Sequence, residues 1–376
     1  PCIHGKNLFL GYIMAMSRPK ILHLVEYLYL GGIERLLQQL ALHSGDKAEL
    51  SFFTYETTQL NGIGLEIKDQ GHQVYTFKKS AGTDLKLLKK LIEVIKKDKI
   101  EVIHTHDFGP IEYAFLLKLR FPRLKLVHTQ HTIHHFVNKL KYTIFFQIAS
   151  YFYTRIISVS QYVEDSIRAK CPMINKSVLA VIPNGVDTDV FIPTFEKNDS
   201  PVLRLVSIAR ISYEKNLQYI LKTCLMLKKA GIAFEWHHAG TAKNPDMVRE
   251  IENFVLENGL SKEIHLYGFV SDAKSILDKG DLFLSSSLTE GHPVSVLEAM
   301  SCQKLCFCSD IPAHKELGSE GVVFFNHKEP DALFELLSQY AKGELKLDKV
   351  KETSRMLIES KFSMNKMVEN YVNEYK

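Results

Sequence analysis

Two carboxylates eight positions apart, Glu290 and Glu298, bracket the stretch of this chain best suited to chemistry. Gly291, His292, Pro293 and Val294 lie just inside them. Residues 281–284 read as an apolar strand, and small polar residues and a turn at Glu290-Gly291 follow. Pro293 then suits the first turn of a helix, where a missing N–H costs nothing. A strand, a glycine loop and a helix N-terminus offer unpaired backbone N–H groups and a positive dipole end to an anion. The carboxylates cannot bind that anion. They can accept hydrogen bonds from hydroxyls on either side of it, and a sugar nucleotide carries hydroxyls on both sides of its diphosphate. A basic pair stands earlier, Arg210 and Lys215, after a strand at residues 203–208. The guanidinium supplies a fork for two oxygens and the ammonium a mobile point charge, so both can converge on one anion. By spacing alone they would be two surface cations.

The elements that must position these groups are strands alternating with helices. Strands are expected at residues 21–25, 50–54, 74–77, 102–107, 126–132 and 155–160 in the first half, with a strand and tight turn at 181–187. In the second half they fall at 203–208, 236–240, 264–270, 281–284, 305–308 and 321–325. Helices are expected at 85–95, 138–153, from 161, at 273–277 and over 356–375. In an open α/β sheet, residues at the carboxyl ends of strands face the ligand crevice. That raises His106 and His131 above the other histidines. A metal cluster of His128, His131, His134 and His135 matches no established ligand spacing, and no carboxylate follows it. Gly31-Gly32-Ile33-Glu34-Arg35 joins the first strand to a periodic segment through Leu36, Leu37, Leu40 and Ala41. It is not GxGxxG, so a dinucleotide site is not expected. Its glycines fit either a tight turn or close backbone approach to a ligand.

The run Glu290-Gly291-His292-Pro293-Val294-Ser295-Val296-Leu297-Glu298-Ala299-Met300 resembles the signature of retaining GT-B glycosyltransferases of family 4, the glycosyl transferases group 1. Gly31 to Arg35 resembles that family's first loop, Arg210-x4-Lys215 its basic pair, and residues 264–270 the stretch whose backbone receives the base. The resemblance implies two Rossmann-like α/β domains facing an interdomain cleft, with a C-terminal helix crossing back to the first. Domains are expected at residues 20–192 (with 357–376) and 202–356, joined by a linker at 193–201 and preceded by an extension, 1–19. It implies transfer of a sugar from a nucleoside-diphosphate sugar, UDP- or GDP-linked, to a saccharide hydroxyl with retention at the anomeric carbon. Arg210, Lys215 and the helix start at Gly291, His292, Pro293 and Val294 would hold the diphosphate. Val270 would meet the base, Glu298 the ribose and Glu290 the transferred sugar. His131 would stand near the reacting carbon, with Gly31, Gly32, Ile33 and His106 along the acceptor side of the cleft. His292 departs from the phenylalanine many relatives carry, and either donates to the ligand or packs. No metal or other cofactor is implied, since the cations do that work and no Asp-x-Asp motif is present. The acceptor implied is a lipid-linked saccharide of a bacterial surface polysaccharide, so the expected location is cytoplasmic with weak peripheral membrane contact. The rival readings are a nucleotide-sugar 2-epimerase of the same architecture and a non-catalytic nucleotide-sugar binder.

Composition bounds these expectations. A chain of 376 residues suits two domains, and 45% hydrophobic with 24% charged residues is ordinary for a globular protein. A net charge of +4 falls short of a nucleic-acid binder's footprint. Six scattered cysteines form no disulfide framework; Cys302, Cys306 and Cys308 read as packing groups. No apolar stretch reaches the length of a membrane span. The aromatic load at 138–153 reads as core in preference to a hydrophobic acceptor surface. The six lysines between 86 and 99 read as a solvated helix face, with a membrane-surface role as the lesser alternative.

Overall fold

A computed structural model describes residues 18–29, 31–133, 140–194 and 201–376. Among these, the strands of the first half are β1 Lys20–Val25, β2 Glu49–Thr54, β3 Glu56–Thr57, β4 Gln73–Lys78, β5 Val102–His106, β6 Lys125–Gln130, β7 Arg155–Ser158 and β8 Leu179–Val181. They form one sheet in the order β3-β4-β2-β1-β5-β6-β7-β8, parallel except for β3. The second half supplies β9 Leu203–Ile208, β10 Phe234–Ala239, β11 Ile264–Leu266, β12 Leu282–Ser285, β13 Leu305–Ser309 and β14 Val323–Phe325. These form a parallel sheet in the order β11-β10-β9-β12-β13-β14. Strands buried on both faces by helices need near-continuous apolar runs, and β1, β12 and β13 have them.

Each sheet reverses its direction of growth once. The chain lays β2 on one side of β1 and later β5 on the other; it lays β10 on one side of β9 and later β12 on the other. Such a reversal leaves a crevice at the carboxyl ends of the two central strands. The loops after β1, β5, β9 and β12 are therefore the ones the fold presents to a ligand.

The helix Met364–Tyr375 belongs to the first lobe, where Met367, Val368, Tyr371 and Tyr375 join the core under β1 and β5. The helix before it, Asp348–Lys361, packs on the second lobe through Leu357 and Ile358. The helices read over 356–375 are thus two, separated at Phe362–Ser363, where Ser363 pairs with Val186. At 181–187, where a strand with a tight turn is expected, the strand is β8. It ends at Val181 because the chain turns there toward the other lobe, and Gly185 passes so close to Met364 that a Cβ would strike its backbone. The lysine-rich helix runs over Leu85–Asp98, capped by Asp84, and buries Leu87, Leu91, Val94 and Ile95. That face is turned by one residue from the stripe of Leu88, Leu91, Ile92 and Ile95 expected. Cys302, Cys306 and Cys308 are buried in the second lobe.

Candidate active site

The helix Val294–Ser301 starts one residue later than expected, with Pro293 immediately before it and no side chain capping it. Its first turn keeps unbonded N–H groups, as helix starts do. Behind it, the loop after β12 is tied to the loop after β9. Ser286 donates to the carbonyls of Lys215 and Asn216 at 3.0 and 2.9 Å, and the N–H of Leu288 donates to Glu214 at 2.7 Å. Asn216 adopts a left-handed conformation, φ 51°, that turns the chain from the Tyr213–Lys215 turn into the next helix. Lys215 Nζ then meets Glu290 Oε1 at 2.5 Å, and Ser287 Oγ donates to the same oxygen at 2.6 Å. Burial raises the Glu290 carboxyl, but the Lys215 ammonium and the Ser287 hydroxyl more than reverse this, so its pKa falls below the usual range. Lys215 and Glu290, expected to touch different parts of a ligand, are thus partners in this structure. Arg210 is exposed, two residues past the end of β9.

Glu298 is different. Burial pushes its carboxyl up to about 7, opposed by the positive charge of Arg35 from the first lobe. Arg35 also donates to the carbonyl of Ser271 at 2.9 Å, across the crevice. Its neighbour Glu34 is raised by burial and drawn back by Arg210 and Lys243 of the second lobe. The Gly31–Arg35 loop therefore faces the basic loop with charges of its own. Gly31 is extended, and a Cβ there would strike the folded-back Glu34 carboxylate. Gly32 has open space around it, while Ile33 packs against the first lobe's core. Neither glycine is there for a left-handed turn.

The lobes meet closely at His131. A Cβ built on Gly291 would fall onto the His131 carbonyl oxygen, far inside any normal contact. Glu316 accepts from the N–H groups of Gln161 and Tyr162 at 2.8 and 2.6 Å, capping a first-lobe helix from the second lobe. Asn184 reaches the carbonyl of His292. The His292 ring itself is buried beside Phe362 with Nδ1 unpartnered, and burial lowers its pKa to about 4. Val270 is partly buried just past β11, on a loop where the expected strand has already ended at Leu266.

His106 does not line the open crevice as expected. It is 4% exposed, with Nε2 at 2.9 Å from His23 Nδ1 and Nδ1 at 3.1 Å from His131 Nε2. The pleat puts it behind His131. Burial holds His131 down to about 3, a neutral imidazole at ordinary pH. The backbone N–H of His131 donates to Asp107, a residue that no motif in the sequence marks. Asp107 sits at φ 54° past β5, and burial, with Glu34 and Glu26 nearby, pushes its carboxyl up to about 7.

Among the described residues, two groups could hold a metal ion: His23, His104 and His106, and Glu235, His237 and His265. In the first, both ring nitrogens of His104 are taken by Tyr375 and Thr129. Of the four histidines considered in the sequence, His128 bonds Thr105 and Gln130, while His134 and His135 lie outside the described residues. No helix of the described residues is long and apolar enough to cross a membrane.

Comparison with known proteins bears on this site. Residues 30–190 match the family described as Glycosyltransferase Family 4, and residues 192–357 match Glycosyl transferases group 1. The chain is 25% identical over 243 residues to a phosphatidylinositol N-acetylglucosaminyltransferase chain of Arabidopsis thaliana, covering 63% of this chain and 54% of that protein. It is 25% identical over 317 residues to a UDP-Gal:alpha-D-GlcNAc-diphosphoundecaprenol alpha-1,3-galactosyltransferase of Escherichia coli, covering 78% and 80%. In fold it is similar to Anabaena Alr3699/HepE in complex with UDP and glucose, with a TM-score of 0.80, 16% identity, and 95% and 99% coverage. Two Rossmann-like lobes, each with its reversal point opening on one crevice, together with matches that run through both halves, place the chain among the group 1 glycosyltransferases of GT-B fold.

Proposed function

We propose that this chain is a retaining transferase that moves a sugar from a UDP- or GDP-sugar to a hydroxyl of a lipid-linked saccharide, in assembly of a bacterial surface polysaccharide. The observation that carries the reading is the fastening of the Arg210–Lys215 loop to the Glu290 loop, at the reversal point of the second sheet and beside an uncapped helix start. The galactosyltransferase relative is named for a UDP-sugar and a diphosphoundecaprenol-linked acceptor, and the Anabaena structure is described with UDP and glucose. The first supports the donor and acceptor class, and the second the donor nucleotide.

As the glycosidic bond breaks, the electron pair stays with the diphosphate, and negative charge grows between Arg210, Lys215 and the N–H groups ahead of Ser295. Preorganised donors aimed at such charge are worth roughly 3 kcal/mol each. Before the donor arrives, Glu290 serves as the counter-ion of Lys215. A bound diphosphate takes over that role and frees Glu290 to accept from sugar hydroxyls. Glu298 faces the ribose at the other end of the donor, too far along it for a two-carboxylate hydrolysis. The acceptor attacks from the face the diphosphate leaves, and the departing phosphate oxygen takes the acceptor's proton. No divalent metal is called for.

Glu290→Ala and Lys215→Ala test the site. Each is expected to cut turnover by about a hundredfold or more while the far-ultraviolet spectrum and Tm persist. Near-normal rates in both variants would refute it.

A further inference from the structure

The helix Leu140–Ser150 has an apolar surface on nearly every side, with one charged residue, Lys141. Phe146 and Ala149 enter the first lobe's core. The opposite face finds no partner among the described residues. Leu140, Ile144 and Ile148, spaced four apart and so stacked along one line of the helix, are 52–75% exposed. Tyr151 and Met173 extend this stripe, the Tyr151 hydroxyl donating to the Met173 carbonyl. A contiguous apolar patch of this kind on a water-exposed surface marks something that covers it. By sequence alone, this segment's hydrophobic load belongs in the core and any membrane affinity belongs to the lysine-rich helix. The structure separates the two, since Leu85–Asp98 buries its apolar side and leaves mainly lysines outside.

What covers the stripe is indicated by charge. Three stretches meet there: 118–125, whose helix packs Phe115 on Phe145 and Phe152; 140–151 itself; and 166–178, where Cys171 reaches Thr143 and Met173 reaches Gln147. Together they hold eight lysines and arginines and no aspartate or glutamate; Arg168 pairs with Glu164, just before the third stretch, and Lys125 turns to the C-terminal carbonyls, which leaves six cations. A second copy docking by two-fold symmetry would set this cationic rim against itself. An anionic lipid surface attracts it, and apolar side chains inside a basic rim are the composition that lies in a headgroup layer. The position also fits. Phe108, two residues past His106, meets the Tyr142 ring at a tilt, centroids 4.7 Å apart, so the helix begins on the side of the sheet where the crevice opens.

We propose that the stripe Leu140–Ile144–Ile148–Tyr151, with its basic rim, docks this chain on an anionic bilayer surface and presents the crevice to acceptors held in that bilayer. The last clause rests on the transferase reading; the docking does not.

The test is co-sedimentation with vesicles containing phosphatidylglycerol and with vesicles of phosphatidylcholine alone, at low and raised salt. Wild type is expected to sediment with the first, less so as salt rises, and to stay in solution with the second. Ile144→Glu/Ile148→Glu, and separately Ile144→Ser/Ile148→Ser, are expected to lower partitioning about tenfold or more for the glutamates, with Tm and UDP binding unchanged. Wild type left in the supernatant, or the glutamate variant sedimenting as wild type does, overturns the proposal. So does a wild-type dimer in solution that the variant abolishes without any vesicle binding. Failure of the transferase reading looks different: vesicle binding persists, but no donor sugar is turned over by either protein.

Discussion

Replacing Gly291 by alanine attacks the closest approach between the lobes. A Cβ there would lie on the carbonyl oxygen of His131 and 3.4 Å from Val159 Cγ2. Real Cβ atoms essentially never come within 3.0 Å of another group, and here the obstacle is backbone, not the tip of a flexible side chain. Either the Glu290 loop retreats or the lobes part, in both cases by roughly 1 Å or more, and a displacement of that size at a reacting centre costs on the order of a hundredfold in rate. The cause is steric, because φ at Gly291 is not among the positive values. Gly231 supplies the control: φ is 71°, with nothing within 4 Å of a built Cβ. Gly231→Ala strains a helix C-terminus, costing about 1 kcal/mol of stability, and leaves the crevice untouched. Steady-state donor turnover and Tm for the two variants separate the effects. Gly291→Ala is expected to lose rate out of proportion to Tm, and Gly231→Ala to lose Tm alone. A Gly291→Ala enzyme within twofold of wild type would refute the idea that this contact sets the site.

Two further outcomes follow from the charges. The folded pKa of Glu298, about 7, exceeds the ordinary 4.5, so between these values the folded chain binds a proton that the unfolded chain does not. This contribution to stability is fully present below pH 4.5 and is lost as pH rises through 7. Glu298→Gln removes the cost of the buried charge; it is expected to melt above wild type at pH 8, by on the order of 2 kcal/mol, with the gap closing toward pH 5, and scanning calorimetry at both values checks this. Donor turnover is expected to survive EDTA; complete loss restored by Mg²⁺ would contradict the metal-free mechanism.

The strands of both lobes were within reach of the sequence, because buried parallel strands announce themselves as short apolar runs between glycine turns, as at 203–208 and 281–284, whereas their order in the sheets is not a property of any single run. Boundaries slipped where a strand hands over to a loop aimed at the other lobe, as after Val181 and Leu266. The individual site residues were legible as types but not as pairs. Nothing in the spacing says that Lys215 rests on Glu290, that Arg35 faces Glu298, or that His106 stands behind His131. Those relations depend on how two lobes close and on which way a pleat turns, and neither is a local property of the chain. Asp107 escaped notice for the same reason: its left-handed backbone and its bond to His131 are consequences of β5 ending beside β6.

The most direct measurement compares the binding of UDP and of uridine by calorimetry, in wild type, Arg210→Ala and Lys215→Ala. If the diphosphate lies between the basic loop and the helix start at Val294, each substitution weakens UDP about tenfold or more and leaves uridine unchanged. Equal UDP affinity in all three proteins, or a matching loss for uridine, would contradict it.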